Sequence, residues 1–157
     1  NLTAGNGIEF RGEEGQPIDM TTNANGNDVG FDLIATGGNI VMEHTMLTDT
    51  ANSAFGHITI DSAGDVILNN VVLQAERDIA IIAGGSIYMT DVTVISNKNN
   101  GDISFTLLDD ADHPGAGVIS FTNLAVNKNA AADPANGAIC GQLTAGTINM
   151  QSTFACP

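Results

Sequence analysis

The chain has 157 residues and a formal net charge of −14, and 43% of it is hydrophobic although only 4% is aromatic. A chain of this length without an abrupt change of composition fits one domain, 1–157, that can bury a sizeable core. The acidity argues against nucleic acid and anionic membranes as partners, and no apolar run approaches the length of a membrane span.

Apolar and polar residues alternate with period two in nearly every segment, whereas the period of an amphipathic helix never persists for three turns. Between the alternating segments lie Gly, Asn, Asp and Ser, which supply the chemistry of tight turns. The pattern predicts an all-β protein in which many short strands are separated by sharp corners.

Segments of the form apolar, any residue, apolar recur roughly 20 to 30 residues apart, a spacing typical of one turn of a solenoid with occasional insertions. The first members of these segments are expected to form the core ladder: Ile18, Ile40, Val66, Ile87, Ile119 and Ile148. The spacing predicts a parallel β-solenoid of about six coils.

Two further columns accompany this ladder. One lies shortly upstream, at Ile8, Phe31, Ile58, Ile79 and Ile103, and a weaker one lies downstream, at Leu47, Val71, Val92 and Leu124. Three short strands per coil follow from these columns. Stacking the coils about 4.8 Å apart would align like side chains and pair the backbones of neighbouring coils.

Irregular stretches at 11–17, 49–55, 109–117 and 127–136 are expected to be inserted loops, where any binding would be placed. The strongest acidic cluster, Asp109, Asp110 and Asp112 with His113, offers hard oxygen ligands suited to Ca²⁺. It lacks the residue register of a calcium loop, so no metal and no cofactor are expected.

Cys140 and Cys156 lie close together near the C-terminus, with no further Cys or His at ligand spacing around them. A disulfide between them would close a loop of about 15 residues and contribute roughly 3 kcal/mol to the terminal coil, about 138–157. Because such bridges form in oxidising compartments, and because the chain starts at Asn1 without a basic leader, a secreted, processed product is expected.

The phrases running from Gly56 to Asn70 and from Asp78 to Met89 resemble the repeats of filamentous-haemagglutinin-type secreted β-helix proteins. The likeness covers roughly residues 29–126. It implies a right-handed parallel β-helix, export to the cell surface and a role in adhesion or extracellular scaffolding. It brings no catalytic residues with it.

A polysaccharide-degrading enzyme is the third-ranked function, and no catalytic residues are expected. Such sites combine carboxylates with basic groups that neutralise a uronate. Glu13, Glu14 and Asp19 would be the carboxylate set, but surface solvation explains them, and the four basic residues are scattered through the sequence. His44 and His57 are isolated in sequence and are expected to have surface roles.

The first coil carries the same apolar anchors as the interior coils, and no capping helix is visible, so open strand edges are expected at the ends. This favours a structural subunit that joins head to tail. A monomeric adhesin or a module that binds surface glycans is the alternative. An outward row starting at Asp19 should hold an apolar patch for lateral packing, unless an inserted loop covers it. The possible subunit contacts are Ile8, Phe10, Val41, Ile67, Tyr88 and Phe154.

Overall fold

A computed structural model of the chain describes residues 1–23, 30–50, 56–97, 101–108, 117–128 and 147–150, with backbone alone at 127–128 and 147–150. The described residues contain twelve strands and no helix. Every pairing between these strands is parallel. The prediction of an all-β, parallel structure is confirmed.

The strands form two sheets. Sheet A has five strands, in the spatial order β1 (Leu2–Ala4), β4 (Gly30–Ala35), β6 (His57–Ser62), β8 (Asp78–Ala83) and β10 (Ile103–Leu107). Sheet B contains β2 (Ile8–Arg11) and β3 (Ile18–Thr22), both paired with β5 (Ile40–Asp49), then β7 (Val66–Ala75), β9 (Ile87–Ser96), β11 (Val118–Lys128) and β12 (Thr147–Met150). From β4 to β11 the chain alternates strictly between the sheets, and one strand of sheet A with the sheet B strand after it is here called a repeat.

Apolar side chains of both sheets meet in one core. Along sheet B, five of the expected ladder residues lie in register: Ile40, Val66, Ile87, Ile119 and Ile148. The first four are at most 2% exposed. Because full burial of such a side chain contributes about 1.5–3 kcal/mol, and because each repeat supplies new members, the ladder ties neighbouring repeats together.

Ile18 does not belong to that ladder. It lies opposite Thr45 on β5, whereas Ile8 lies opposite Ile40. Ile8 is therefore the ladder member of the first repeat and not a member of the upstream column, and the sheet A strand of the first repeat is β1, whose Leu2 lies opposite Leu33. The prediction for Ile18 was wrong because the insertion at 12–17 splits the first strand of sheet B into β2 and β3. Ile18 begins β3 and happens to match the repeat spacing, whereas the true ladder member lies on β2.

The second and third predicted strands of each repeat are one strand in the structure. β5, β7 and β9 have ten residues each, and each bends at its fifth residue. The bend residues have positive φ angles and lie in neighbouring strands: His44 (φ 46°), Asn70 (54°), Asp91 (54°) and Asn123 (53°). At each bend two consecutive side chains point outward, so the inward alternation resumes one residue out of phase.

The corners from sheet A to sheet B are held by side-chain oxygens of the preceding repeat. Asn39 Oδ1 accepts a hydrogen bond from the Asp65 backbone N–H at 2.8 Å, and Asp65 Oδ1 accepts one from the Ser86 N–H at 2.7 Å. Ser86 Oγ accepts from the Val118 N–H at 3.1 Å. These bonds satisfy backbone N–H groups where the chain enters sheet B.

Candidate interaction surfaces

The outer face of sheet B carries the expected apolar patch. Val41, Ile67 and Tyr88 lie in register on β5, β7 and β9 and are here called the outer stripe. Val41 and Ile67 are half-buried, and Tyr88 is 41% exposed. The residue that precedes Val41 in this row is Glu9 and not Asp19, because Asp19 lies opposite Met46.

The bend residues form a polar row beside the outer stripe. Asn70 Nδ2–H donates to His44 Nδ1 at 2.8 Å, and Asn123 Nδ2–H donates to Asp91 Oδ1 at 2.8 Å. Asn and Asp tolerate the left-handed region better than other non-glycine residues. The residues of this row therefore adopt the positive φ angle that the bend requires, and their side chains form hydrogen bonds from one strand to the next.

A groove lies where the insertion at 12–17 approaches the outer face. One wall comes from the insertion, which folds back on itself through paired backbone bonds between Glu13 and Gln16. The groove encloses about 190 Å³, and its lining is Glu13, Gly15, Pro17, His44, Thr45, Met46, Asn70 and Val72. It joins an apolar floor to a carboxylate, an imidazole and an amide, a mixture able to contact a sugar or a single side chain.

Arg11 lies at the junction of β2 and the insertion. Its guanidinium bonds Glu9 Oε2 at 3.2 Å and Glu43 Oε2 at 2.6 Å. The hydrogen bond that Arg11 donates to Glu9, followed by the one that it donates to Glu43, raises the pKa of Arg11. Because these groups are solvent-exposed, their ion pairs contribute little to stability. Together they form a compact charged cluster at the end of the outer face.

The strands β1, β2 and β3 form one edge of the two sheets, here called the N-terminal rim, and within the described residues each of them pairs on one side alone. Ile8 N–H donates to Asn39 O and Gly12 N–H to Glu43 O. Since successive N–H groups of a strand point in opposite directions, the N–H groups of Glu9 and Arg11 point toward the open edge.

Apolar side chains on the N-terminal rim are covered less well than their partners one repeat further in. Leu2 is 44% exposed, against 4% for Leu33 opposite. Phe10 and Met20 are half-buried, whereas Met42 and Leu47 opposite them are fully buried. Ile8 differs, since it is 5% exposed and its side chain is already covered.

The other expected site residues do not come together in a described site. Cys140, Cys156, Phe154 and the acidic cluster with His113 lie outside the described residues, as does the side chain of Ile148. Glu13 and Glu14 lie on the insertion, and Asp19 accepts a hydrogen bond from Thr21 Oγ1 at 3.3 Å on β3. Within the described ranges, no group of three or more His, Cys, Asp or Glu could hold a metal ion.

Sequence reasoning missed a pair on the outer face of sheet A. His57 Nε2 lies 3.0 Å from Asp32 Oδ1, across neighbouring strands, with both side chains partly buried. In the register of the sheet His57 lies opposite Gly30 and Asp32 opposite Thr59, so the two side chains meet diagonally and the repeat period by itself does not pair them.

The part of the chain that the structure describes has no helix long and apolar enough to cross a membrane. Comparisons of the chain with protein-family models, curated proteins and solved structures found no match.

Proposed function

We propose that this chain is an extracellular structural subunit, a right-handed parallel β-solenoid of about six coils that joins head to tail into a fibre or surface scaffold. Strict alternation of parallel strands between two sheets supports the solenoid, because each return to a sheet is a crossover connection. The right-handed sense rests on the strong general preference for right-handed parallel crossovers. The role is structural and involves no catalysis.

The observation that carries the proposal is the N-terminal rim. It combines outward N–H groups at Glu9 and Arg11 with the partly covered apolar side chains of Leu2, Phe10 and Met20. Among the described strands, β10 of sheet A and β12 of sheet B lie at the end of each sheet that is furthest from the N-terminal rim. A second copy would continue both sheets in the same parallel sense, with a heterologous contact that does not close on itself.

An extracellular location is part of the proposal. It is supported by the pair Cys140 and Cys156, which would bridge in an oxidising compartment and hold the terminal coil, about 138–157. It also draws on the resemblance to secreted β-helices. Non-reducing mass spectrometry of the secreted chain tests it, since free thiols at both positions would remove this support.

The test of assembly is a proline at the rim. Glu9→Pro deletes an N–H that points toward the open edge and leaves the bonds from Ile8 and Gly12 to β5 in place. Glu9→Ala is the matched control, since it removes the same carboxylate and keeps the N–H. Light scattering and electron microscopy should show filaments for the wild-type chain and for Glu9→Ala, and monomers for Glu9→Pro. A wild-type chain that stays monomeric at high concentration would reject the proposal.

A monomeric glycan-binding adhesin is the second candidate, and the groove beside the insertion is the observation that favours it. A pyranose ring could rest on Met46 and Val72 while its hydroxyls contact Glu13 and the bonded pair of His44 and Asn70. Glycan-array binding that is lost in Glu13→Gln and kept in Glu14→Gln would support this function. Equal binding by both variants would exclude the groove.

A further inference from the structure

The groove beside the insertion has a preformed wall. Backbone bonds between Glu13 and Gln16 close a tight turn, in which Gly15 has a positive φ angle of 81°, a conformation that glycine adopts without strain. The turn is anchored at its base, where Gly12 N–H donates to Glu43 O at 2.9 Å. Because this wall is already ordered, a ligand that enters the groove costs little conformational entropy.

His44 lines this groove and differs from the other bend residues. The corresponding positions of the next three strands hold Asn70, Asp91 and Asn123. The base of the insertion approaches His44 closely, since a Cβ atom on Gly12 would lie 3.2 Å from His44 Cβ. The side chain of His44 therefore lies near the insertion and, through its hydrogen bond with Asn70, also contacts the next strand of sheet B.

The hydrogen bond with Asn70 decides which nitrogen of His44 carries the proton. An amide nitrogen can only donate, so Asn70 Nδ2–H donates and His44 Nδ1 accepts, at 2.8 Å. In the neutral ring the proton then lies on Nε2. His44 can therefore offer one N–H donor to a ligand, while Glu13, on the insertion, offers carboxylate acceptors.

The rest of the groove favours an uncharged ligand with a small apolar group. Met46 and Val72 supply half-buried apolar side chains as its floor. None of the described residues that line the groove is Lys or Arg, and the net charge of −14 would repel an anionic sugar such as a uronate. An acetamido group matches this pattern, since its carbonyl can accept from His44, its N–H can donate to Glu13, and its methyl can pack on the floor.

We propose that the groove binds the acetamido group of a neutral N-acetylhexosamine. This inference rests on the second candidate function, a groove that holds a sugar, and does not depend on filament formation. A hydroxyl group in place of the acetamido group brings no methyl to the floor. A free amine brings a charge beside Met46 and Val72, and in its charged form it cannot accept the hydrogen bond from His44.

The test compares three trisaccharides on the full chain by titration calorimetry and by saturation-transfer nuclear magnetic resonance. They are the trimer of N-acetylglucosamine, the same trimer without its acetyl groups, and the corresponding trimer of glucose. The acetylated trimer should bind about tenfold more tightly than either of the others. Saturation transfer from the protein should be strongest at its acetyl methyl groups.

Two matched pairs of variants locate the contact. His44→Asn removes the imidazole and keeps a residue suited to the bend, so it should weaken binding of the acetylated trimer about fivefold. Asp91→Asn changes a bend residue outside the groove and should leave binding unchanged. Val72→Thr should weaken binding by making the floor polar, whereas Val41→Thr makes the same change outside the groove and should not.

The outcomes separate this inference from the function on which it rests. Equal binding of the acetylated and glucose trimers would overturn the inference and leave a sugar-binding groove standing. No binding of any trimer would reject both. Tighter binding of the deacetylated trimer would indicate capture of a cation by Glu13 and overturn the inference, as would equal losses in His44→Asn and Asp91→Asn. A peptide with acetyl-lysine that binds as tightly as the acetylated trimer would also overturn it, because the sugar would then play no part.

Discussion

Asn70 donates a hydrogen bond to the imidazole of His44 at 2.8 Å, and both residues have positive φ angles at the bends of adjacent strands. This hydrogen bond therefore joins two neighbouring bends of sheet B. Each long strand reverses its inward phase at this point, so that two straight segments can both face the core.

Substitution at the bend should separate backbone strain from the side-chain contact. Asn70→Val places a β-branched residue in the left-handed region and is expected to lower the free energy of unfolding by about 1–2 kcal/mol. Asn70→Gly loses the same hydrogen bond without the strain and should change stability by less than about 0.5 kcal/mol. Urea unfolding of both variants measures the difference, and equal losses would show that the hydrogen bond, and not the bend, matters.

Adjacent isoleucines on β8 test the direction of the side chains. Ile81 is fully buried, whereas its neighbour Ile82 is half-buried on the outer face. Ile81→Ala should destabilise the chain by about 2–5 kcal/mol through lost burial and a cavity. Ile82→Ala should cost about 1 kcal/mol or less. Thermal unfolding checks both, and a larger loss at Ile82 would contradict the assigned orientation of sheet A.

The base of the insertion should not tolerate a side chain. Gly12→Ala would force its Cβ against the His44 carbonyl and the Ile18 nitrogen, and should cost about 1–3 kcal/mol and expose the amides of the first repeat to exchange. Gly5→Ala is the control, since a Cβ there meets nothing within 4 Å. Hydrogen exchange localises the effect. A neutral Gly12→Ala would mean that β2 and β3 are not drawn together.

Asp61 should make stability depend on pH. Burial raises the pKa of its carboxyl group, which lies in register between Ile34 and Ile82. The folded chain therefore holds this proton more tightly than the unfolded chain, so the contribution of Asp61 stabilises the fold at low pH and is lost as pH rises through the folded pKa. Asp61→Asn should be more stable than the wild type at neutral pH, and the advantage should shrink on acidification. Unfolding curves across the acidic range test this, and a constant difference would contradict it.

Salt should promote the proposed assembly. With a net charge of −14, subunits repel one another, and the screening length falls from about 30 Å at 0.01 M salt to about 10 Å at 0.1 M. Filament formation, followed by light scattering, should accelerate as sodium chloride is added. Slower assembly with added salt would indicate a joint held by charge attraction instead of strand pairing.

The period of the apolar residues was enough to place Ile40, Val66, Ile87 and Ile119 in one column, because parallel stacking makes sequence period and spatial register the same quantity. The period gave the wrong residue in the first repeat, because the insertion at the bend adds residues between β2 and β3. Ile18 then lies at the expected spacing from Ile40, although the residue in register with Ile40 is Ile8.

The candidate surfaces could be predicted in part. Val41, Ile67 and Tyr88 were predicted as neighbours, since they follow ladder residues directly. The groove and the pair of His57 with Asp32 could not be, because each depends on how far a loop or a polar side chain reaches across a strand. The bends were also hidden, as Asn and Asp are equally common in ordinary turns.

The corner bonds of Asn39, Asp65 and Ser86 each join one repeat to the next through the same backbone position. The molecule is thus modular. A unit that begins at Val66 and ends at Ser86 donates a hydrogen bond to Asp65 Oδ1 of the preceding unit, and its own Ser86 Oγ accepts one from Val118 of the following unit. Duplication or deletion of a whole unit would therefore leave the packing between the remaining units unchanged. Gene rearrangement could in this way lengthen or shorten the molecule in steps of one repeat.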